Sequence, residues 1–413
     1  MTIPELLCPA GNFEKLKSAI SFGADAVYLG GKSFGMRAAA DNFTLPELSE
    51  ALGYAHALEK KVYLTLNTMP AEDEIEQIWE YLIELSRIGG KPDAFIVADL
   101  GIITLVRELF PETAVHVSTQ AGVANHLDCA AWYKMGASRV ILARELTLED
   151  IKKLRDKSPP ELELEAFVHG SMCVSYSGRC LLSNHFTGRD ANRGQCTQSC
   201  RWKYKIYELE EEKRPGQRLD IMENDRGTFI MSSRDMCMIE HIPGLCEAGL
   251  ASLKIEGRVK SAYYAAVTAN AYRMALDSYG GGNYSYDEKW LRELESVSHR
   301  PYCTGFFMYG PQKDANMCGE DNFSRGGYTG EKSYAASVLS YDAETGKALC
   351  IQKNKIFSGG SMELLTPKKT GQPFEVKDLE DENGIPIDST PHPGMRFRMK
   401  IPFGAKGGDI IRN

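Results

Sequence analysis

Four cysteines fall within 28 residues, Cys173, Cys180, Cys196 and Cys200, spaced C-x6-C-x15-C-x3-C. Thiolates bind soft metals or attack electrophilic carbon, and the neutral thiol packs as a small apolar group. Zinc ribbons mostly use two C-x2–4-C pairs, and only Cys196 and Cys200 approach that spacing. Iron–sulfur clusters take four thiolates at more varied intervals. The intervening Gly and Ser residues can bring backbone N–H groups close to sulfide. An iron–sulfur cluster on Cys173, Cys180, Cys196 and Cys200 is the first reading, with Cys237 as substitute fourth ligand. Zinc is the second, and free structural thiols the third. A nucleophile reading pairs Cys173 with His169. It needs those side chains in contact and a third group to orient the imidazole, and it leaves three cysteines without a task. No H-E-x-x-H pattern is present. Cys8, Cys129, Cys303, Cys318 and Cys350 are scattered and read as core residues.

Beside these thiols runs "GRDANRGQCTQSCRWKYK", where Arg189, Arg193, Arg201, Lys203 and Lys205 face one acid, Asp190, with Trp202 and Tyr204 interleaved. Cations can hold phosphates and aromatic rings can stack on bases. Arg189, Arg193, Arg201, Trp202 and Lys203 are therefore candidates for contact with phosphates and bases. The plainer reading is a solvated charged loop with Trp202 packed inward.

Something must position these residues. Short apolar runs recur at 5–11, 25–31, 61–67, 93–99, 114–120, 139–145, 164–170, 228–233 and 252–258, with amphipathic stretches between them. Runs of this kind are strands buried on both faces of a parallel sheet. The stretch 44–60 opens on Thr44 with Glu47 three residues on, a capping box, and 147–158 begins acidic and ends basic. The alternation predicts an α/β fold, a (β/α)8 TIM-like barrel, with "TFIMSS" (228–233) as the one run outside it. A doubly wound sheet is the alternative, but no Gly-rich dinucleotide fingerprint follows the first run. Residues 171–228 form a Cys-rich insertion after strand 7, at the barrel end where active sites lie. From about 329 the texture becomes alternating strands and turns. The expected domains are thus 1–328, barrel plus insertion, and 329–413, a small β-barrel or sandwich.

If the barrel is right, the strand ends bring a second set together: Asn67, Asp99, Ser118, Gln120, Arg144, Glu145, His169, Glu256 and Arg258. Arg37, after the second strand, can join it. Arginines clamp carboxylates with two parallel hydrogen bonds. Arg37, Asn67, Ser118, Gln120, Arg144 and Arg258 are read as binding a small acid, and His169, Glu145 and Glu256 as catalytic groups. Each alone has a bland reading, such as an Arg144–Glu145 ion pair or a satisfied core His169.

The chain has 413 residues, 43% hydrophobic and 25% charged, with net charge −8. That excludes a generic nucleic-acid coater but not a local basic patch. No apolar run is long enough to span a membrane, and "MTIPELLCPAG" is not a signal peptide, so a cytoplasmic location is expected. Eleven cysteines in such a reducing compartment are not expected to form disulfides.

"EAFVHGSMCVSYSGRCLLS" closely resembles the signature of the U-thirty-two family of collagenase-like peptidases, filled by Glu165, Phe167, Gly170, Ser171, Met172, Cys173, Gly178, Cys180, Leu182 and Ser183. "NRGQCTQSCRWKY", "SSRDMCMIEHIPGL", "SLKIEGRVKSAYY" and "LLCPAG" look like further family blocks. The resemblance covers the whole chain and is nearest the prephenate-dependent tRNA uridine hydroxylation branch. It implies oxygen-independent hydroxylation of a tRNA wobble uridine to 5-hydroxyuridine, a 4Fe–4S cluster, and prephenate, a dicarboxylate, as co-substrate. Cys173, Cys180 and Cys196 match the ligand pattern of the ubiquinone-hydroxylating members. Their fourth ligand falls near Ser232–Ser233 here, which leaves Cys200 for that role. The implied partners are tRNA, the small dicarboxylate, and a paralogous subunit or a second copy of the chain. A peptidase, as the family name says, and an RNA-binding scaffold with a structural metal are the competing functions.

Overall fold

The computed structural model describes residues 3–35, 41–173, 175–202, 222–224, 227–229, 233–282, 284–308 and 328–413. Eight parallel strands close a barrel: β1 (Glu5–Pro9), β2 (Ala26–Gly30), β3 (Lys61–Leu66), β4 (Ala94–Val97), β5 (Ala114–Val117), β6 (Arg139–Ile141), β7 (Glu163–Ser171) and, after the insertion, Ser252–Ile255. The last of these pairs with both β1 and β7, which removes the sheet edges. The insertion holds a two-stranded ribbon, β8 (Met222–Asn224) with β9 (Gly227–Phe229), and then β10 (Asp235–Cys237). Ser252–Ile255 is therefore β11, and β12 (Tyr302–Cys303) follows. Of the 228–233 run expected outside the barrel, residues 228–229 lie in the β8–β9 ribbon and not in the barrel, and residues 230–232 lie outside the described residues.

Helices α1 (Phe13–Ser21), α2 (Leu45–Ala57), α3 (Ile75–Ser86), α4 (Leu100–Leu109), α5 (His126–Lys134) and α6 (Leu148–Lys157) connect consecutive barrel strands. The insertion adds α7 (Leu182–Thr187), α8 (Ile242–Glu247) precedes β11, and α9 (Ala262–Gly280) and α10 (Glu288–Glu295) complete the outer layer. The capping box of α2 forms: the Glu47 amide donates to Thr44 Oγ1, and the Thr44 amide donates to Glu47 Oε2 at 2.8 Å. Thr147 and Asp150 repeat the arrangement on α6. Each such cap stabilises its helix by about 1 kcal/mol. The barrel strands are buried on both faces, as their unbroken apolar runs require.

Two short strands escape the periodicity. β10 pairs antiparallel with β7, and β12 pairs with β10, so the sheet continues past the closed barrel. Three residues and two residues carry too few side chains to show an alternation.

The C-terminal region is all antiparallel: β13 (Tyr334–Asp342), β14 (Lys347–Gln352), β15 (Ser361–Leu365), β16 (Gln372–Glu375), β17 (Lys377–Asp381), β18 (Arg396–Lys400) and β19 (Ile410–Arg412), in the order β16-β15-β19-β13-β14-β18-β17. Alternation is clean on β18, where Phe397 and Met399 face a separate apolar core and Arg396, Arg398 and Lys400 face water. This region is pinned to α9 and α10. Arg412, 1% exposed, donates to Glu293 Oε1 (2.7 Å), Glu363 Oε2 (2.9 Å) and the Tyr263 hydroxyl (3.2 Å).

Candidate active site at the mouth of the barrel

At the C-terminal ends of the strands the structure forms two adjoining cavities. The inner one, of about 40 Å³, is bounded by Asn67, Ser118, Gln120, Arg144, Glu256 and Arg258, six of the residues expected from the strand ends. The Asn67 amide donates to Ser118 Oγ (3.2 Å). Arg258 is 2% exposed and holds Thr65 Oγ1 (2.8 Å) and Asn42 Oδ1 (3.0 Å). Arg144 lies over the Phe167 ring at 3.9 Å, donates to the Ser171 carbonyl at 2.8 Å, and places Nη2 3.9 Å from Glu256 Oε2. Asp99 is not part of the cavity. It caps α4, accepting from the Gly101 and Ile102 amides. Arg37 lies outside the described residues.

The inner cavity also contains Lys254 and Thr65, which were not expected. Lys254 Nζ donates to Glu165 Oε1 at 2.9 Å, beneath the cavity, and lies 4.4 Å from the Tyr28 ring centre. Glu165 is fully buried and also accepts from Arg139 at 3.0 Å. Burial pushes its carboxyl up, but the Lys254 ammonium and the Arg139 guanidinium outweigh that and hold it at about 2. The signal was present: a lysine inside the apolar run "SLKI" shares a strand face with Glu256 two residues on.

The outer cavity, of about 90 Å³, is walled by Cys173, Cys180, Cys196 and Cys200, together with Glu145, Tyr176 and Ser177. Thr119, Gln120 and Arg144 border both cavities, so the two share one wall. Gly178 makes the approach of the cysteine loop possible. Its φ is +72°, and a Cβ there would stand 2.0 Å from the Gln120 carbonyl oxygen. Around the thiols, the Gln198 amide donates to Cys196 Sγ at 3.4 Å and the Ser183 hydroxyl at 3.8 Å. Burial pushes the Cys200 thiol up, Arg201 opposes this, and Cys173, Cys196 and Cys180 add to it, so those three thiols lie within electrostatic reach of Cys200.

Four cysteines can hold a single metal ion or an iron–sulfur cluster. Among the described residues no three Cys, His, Asp or Glu side chains stand close enough to hold one metal. A tetrahedral zinc at about 2.3 Å from each sulfur needs its thiolates within about 4 Å of each other. Four thiols border one cavity, with an O–H and an N–H donor turned to Cys196 Sγ, a donor set that would suit an iron–sulfur cluster.

His169 does not belong to the site. It is fully buried against Tyr264, Tyr272 and Tyr302, with ring centres 5.4–6.0 Å away, and borders neither cavity. Simple alternation from Glu165 and Phe167 would aim it into the barrel. The β7–β11 register instead shifts between Lys254 and Ile255, pairing Phe167 and then His169 with successive residues and accommodating one extra residue of β7. Such a bulge breaks the alternation, and Gly170, at φ +102°, follows it. Burial pushes the imidazole down to about 3, so the ring is neutral. Cys237 is likewise away from the thiol cavity. It sits on β10 opposite His169, and burial pushes its thiol up to about 12.

The basic segment divides. Arg189 and Arg193 are exposed, and Arg193 pairs with Glu74 at 2.8 Å. Arg201 instead turns inward, donating to Gln198 Oε1 (3.0 Å) and the Met172 carbonyl (3.3 Å) at the thiol cavity. Trp202 is 40% exposed, its indole N–H held by the Thr197 carbonyl and its ring 6.3 Å from that of Phe186, itself 47% exposed. Phe186 is an aromatic that sequence reasoning passed over, although it lies three residues from Arg189. Lys203 and Lys205 lie outside the described residues.

Fold and site together define a TIM-like barrel protein with a cysteine-walled pocket built on the loop after strand 7. The chain belongs to peptidase family U32: that family's model matches residues 11–317, and the model of its C-terminal domain matches 331–412. It is 37% identical over 402 residues to tRNA hydroxylation protein P1 of Bacillus subtilis, covering 96% of this chain and 92% of that one. It is 35% identical over 435 residues to tRNA hydroxylation protein P of Escherichia coli, covering 97% and 94%. A protein of Porphyromonas gingivalis named collagenase is 31% identical over 358 residues, covering 83% and 82%. No helix among the described residues is long and apolar enough to cross a membrane.

Proposed function

We propose that this chain is an RNA-modifying enzyme that hydroxylates the wobble uridine of tRNA to 5-hydroxyuridine without molecular oxygen, using a 4Fe–4S cluster and prephenate. One observation carries the reading: a four-cysteine pocket and an arginine-bearing chamber share the wall Thr119–Gln120–Arg144 in a chain aligned almost end to end with tRNA hydroxylation proteins. Cys173, Cys180, Cys196 and Cys200 would hold the cluster, which when bound supplies one-electron redox chemistry at the pyrimidine. Arg144 and Arg258 are the carboxylate clamps for the dicarboxylate. The inner chamber carries Arg144, Lys254 and Arg258 against Glu256, an excess of cations that suits a dianion. Asn67, Ser118 and Gln120 supply neutral polar contacts there, and Glu256 Oε2 is the carboxylate oxygen placed to take up a proton. Arg189, Arg193 and Trp202 face outward beside the thiols and would hold the RNA backbone and an adjoining base. A cytoplasmic site of action follows from a tRNA substrate, and a paralogous subunit or second copy is compatible with it.

The thiol-peptidase reading loses its base, because His169 is buried away from the cavity that Cys173 borders. The test is mass spectrometry of tRNA nucleosides from a deletion strain that has no redundant enzyme. Loss of 5-hydroxyuridine-type modification, restored by the wild-type gene, is expected; unchanged modification overturns the reading. Anaerobically purified protein is expected to be brown with about four irons, whereas a colourless zinc protein supports the scaffold alternative.

A further inference from the structure

Among the described residues, two buried polar atoms on side chains that border the outer cavity have no hydrogen-bond partner, Glu145 Oε2 and Arg201 Nε. Glu145 Oε1 is pinned by two donors, the Ser177 amide at 2.9 Å and the Ser177 hydroxyl at 3.3 Å. Glu145 Oε2 is buried and accepts no hydrogen bond. Glu145 borders the thiol cavity, as do Ser177 and Tyr176. The Tyr176 ring is 47% exposed and borders the same cavity as Glu145. A buried carboxylate oxygen left without a donor is unfavourable, because it has lost its water without gaining a partner. A ligand that brings an N–H to it recovers that loss.

We infer that Glu145 is the base-reading residue of the site, its Oε2 accepting the N3–H of a uracil ring that stacks on Tyr176. This rests on the pyrimidine-hydroxylation reading and adds how one pyrimidine is chosen. Uracil presents a donor at N3, between two carbonyls. Cytosine presents a lone pair there, which a carboxylate oxygen repels. One acceptor at that position therefore selects uracil and rejects cytosine, and a buried site left with an unmet polar group discriminates strongly. Glu145 then acts in recognition, while Glu256, on the other side of Arg144, remains the carboxylate for proton transfer.

The pinning of Oε1 makes the assignment testable by one isosteric change. In Glu145→Gln the amide oxygen must keep the Ser177 donors, so the NH2 group takes the place of Oε2. An acceptor becomes a donor with the fold unchanged. The experiment measures binding of the full chain to anticodon stem-loops that differ only at the target position, carrying uridine, cytidine or N3-methyluridine. The wild type is expected to bind the uridine loop about 10- to 100-fold more tightly than the other two. Glu145→Gln should prefer cytidine over uridine. Tyr176→Ala should weaken all three loops by a similar factor, and Tyr176→Phe should not. The N3-methyl loop tests the same bond with no substitution in the protein. A wild type that binds uridine and N3-methyluridine loops equally, or a Glu145→Gln chain that keeps the uridine preference, overturns the assignment. A wild type that binds no stem-loop at all refutes instead the RNA reading beneath it.

Discussion

The ion pair under the inner cavity should make barrel stability pH-dependent in a specific window. Glu165 is fully buried between Lys254 (2.9 Å) and Arg139 (3.0 Å), and its carboxyl is held at about 2. An unfolded chain has its glutamates near 4.3. A difference of roughly two units corresponds to about 3 kcal/mol, at about 1.4 kcal/mol per unit. Because the folded value is the lower one, that stabilisation is fully present above about pH 5 and is lost as pH falls through 4 toward 2. The perturbation is Glu165→Gln, which keeps the shape and removes the carboxylate that pairs with buried Lys254, while Arg139 keeps Glu5 and Glu163. Breaking a buried pair in this way costs about 3–5 kcal/mol. The assay is urea unfolding of both proteins at pH 7 and pH 4, following the barrel transition by tryptophan fluorescence. The variant should be less stable by about 3 kcal/mol at pH 7, and the gap should narrow at pH 4. A variant as stable as the wild type at pH 7, or a gap that does not change with pH, refutes the reasoning.

Four further outcomes are expected. Arg258→Ala should raise the KM for prephenate by about 100-fold, from the loss of charge-assisted bonds of about 1.5–3 kcal/mol each; Arg258→Lys should recover part of this, and unchanged prephenate dependence would contradict the clamp. Cys200→Ser should lower iron content after anaerobic purification while Cys237→Ser leaves it intact; equal loss in both would put the fourth ligand in doubt. Trp202→Ala should weaken tRNA binding by about 1–3 kcal/mol in a gel-shift or anisotropy assay, and Arg189→Ala should reduce the dependence of that binding on salt. His169→Asn, by contrast, should lower stability and leave the pH profile of hydroxylation above pH 5 unshifted, since the wild-type imidazole is already neutral there; a shifted profile would return His169 to the chemistry.

Much of this protein was legible without its structure. Repeated apolar runs announced a parallel sheet because strands covered on both faces must be apolar throughout. Thr44 with Glu47 marked the start of α2 because a helix start leaves amides that only a local acceptor can satisfy. The cysteine spacing pointed to a four-thiol site because ligand chemistry is written in residue type and local interval. Residue type and order also placed Asn67, Ser118, Gln120, Arg144, Glu256 and Arg258 at one end of the barrel, since every strand of a parallel barrel points the same way. Side-chain direction was another matter, and three residues show why. His169 was expected in the site, but the bulge in the β7–β11 pairing turns it into the tyrosine-lined core, and pairing register is a property of two strands far apart in the chain. Arg201 was expected to face RNA, yet carbonyl and amide acceptors of the folded loop draw it to the thiols. Lys254 was not singled out in the sequence, because its partner Glu165, 89 positions away, meets it only under the cavity of the closed barrel. Local sequence determines which elements form and which chemistry is available. Where a side chain points, and which charge it meets, depends on neighbours that only the closed barrel brings together.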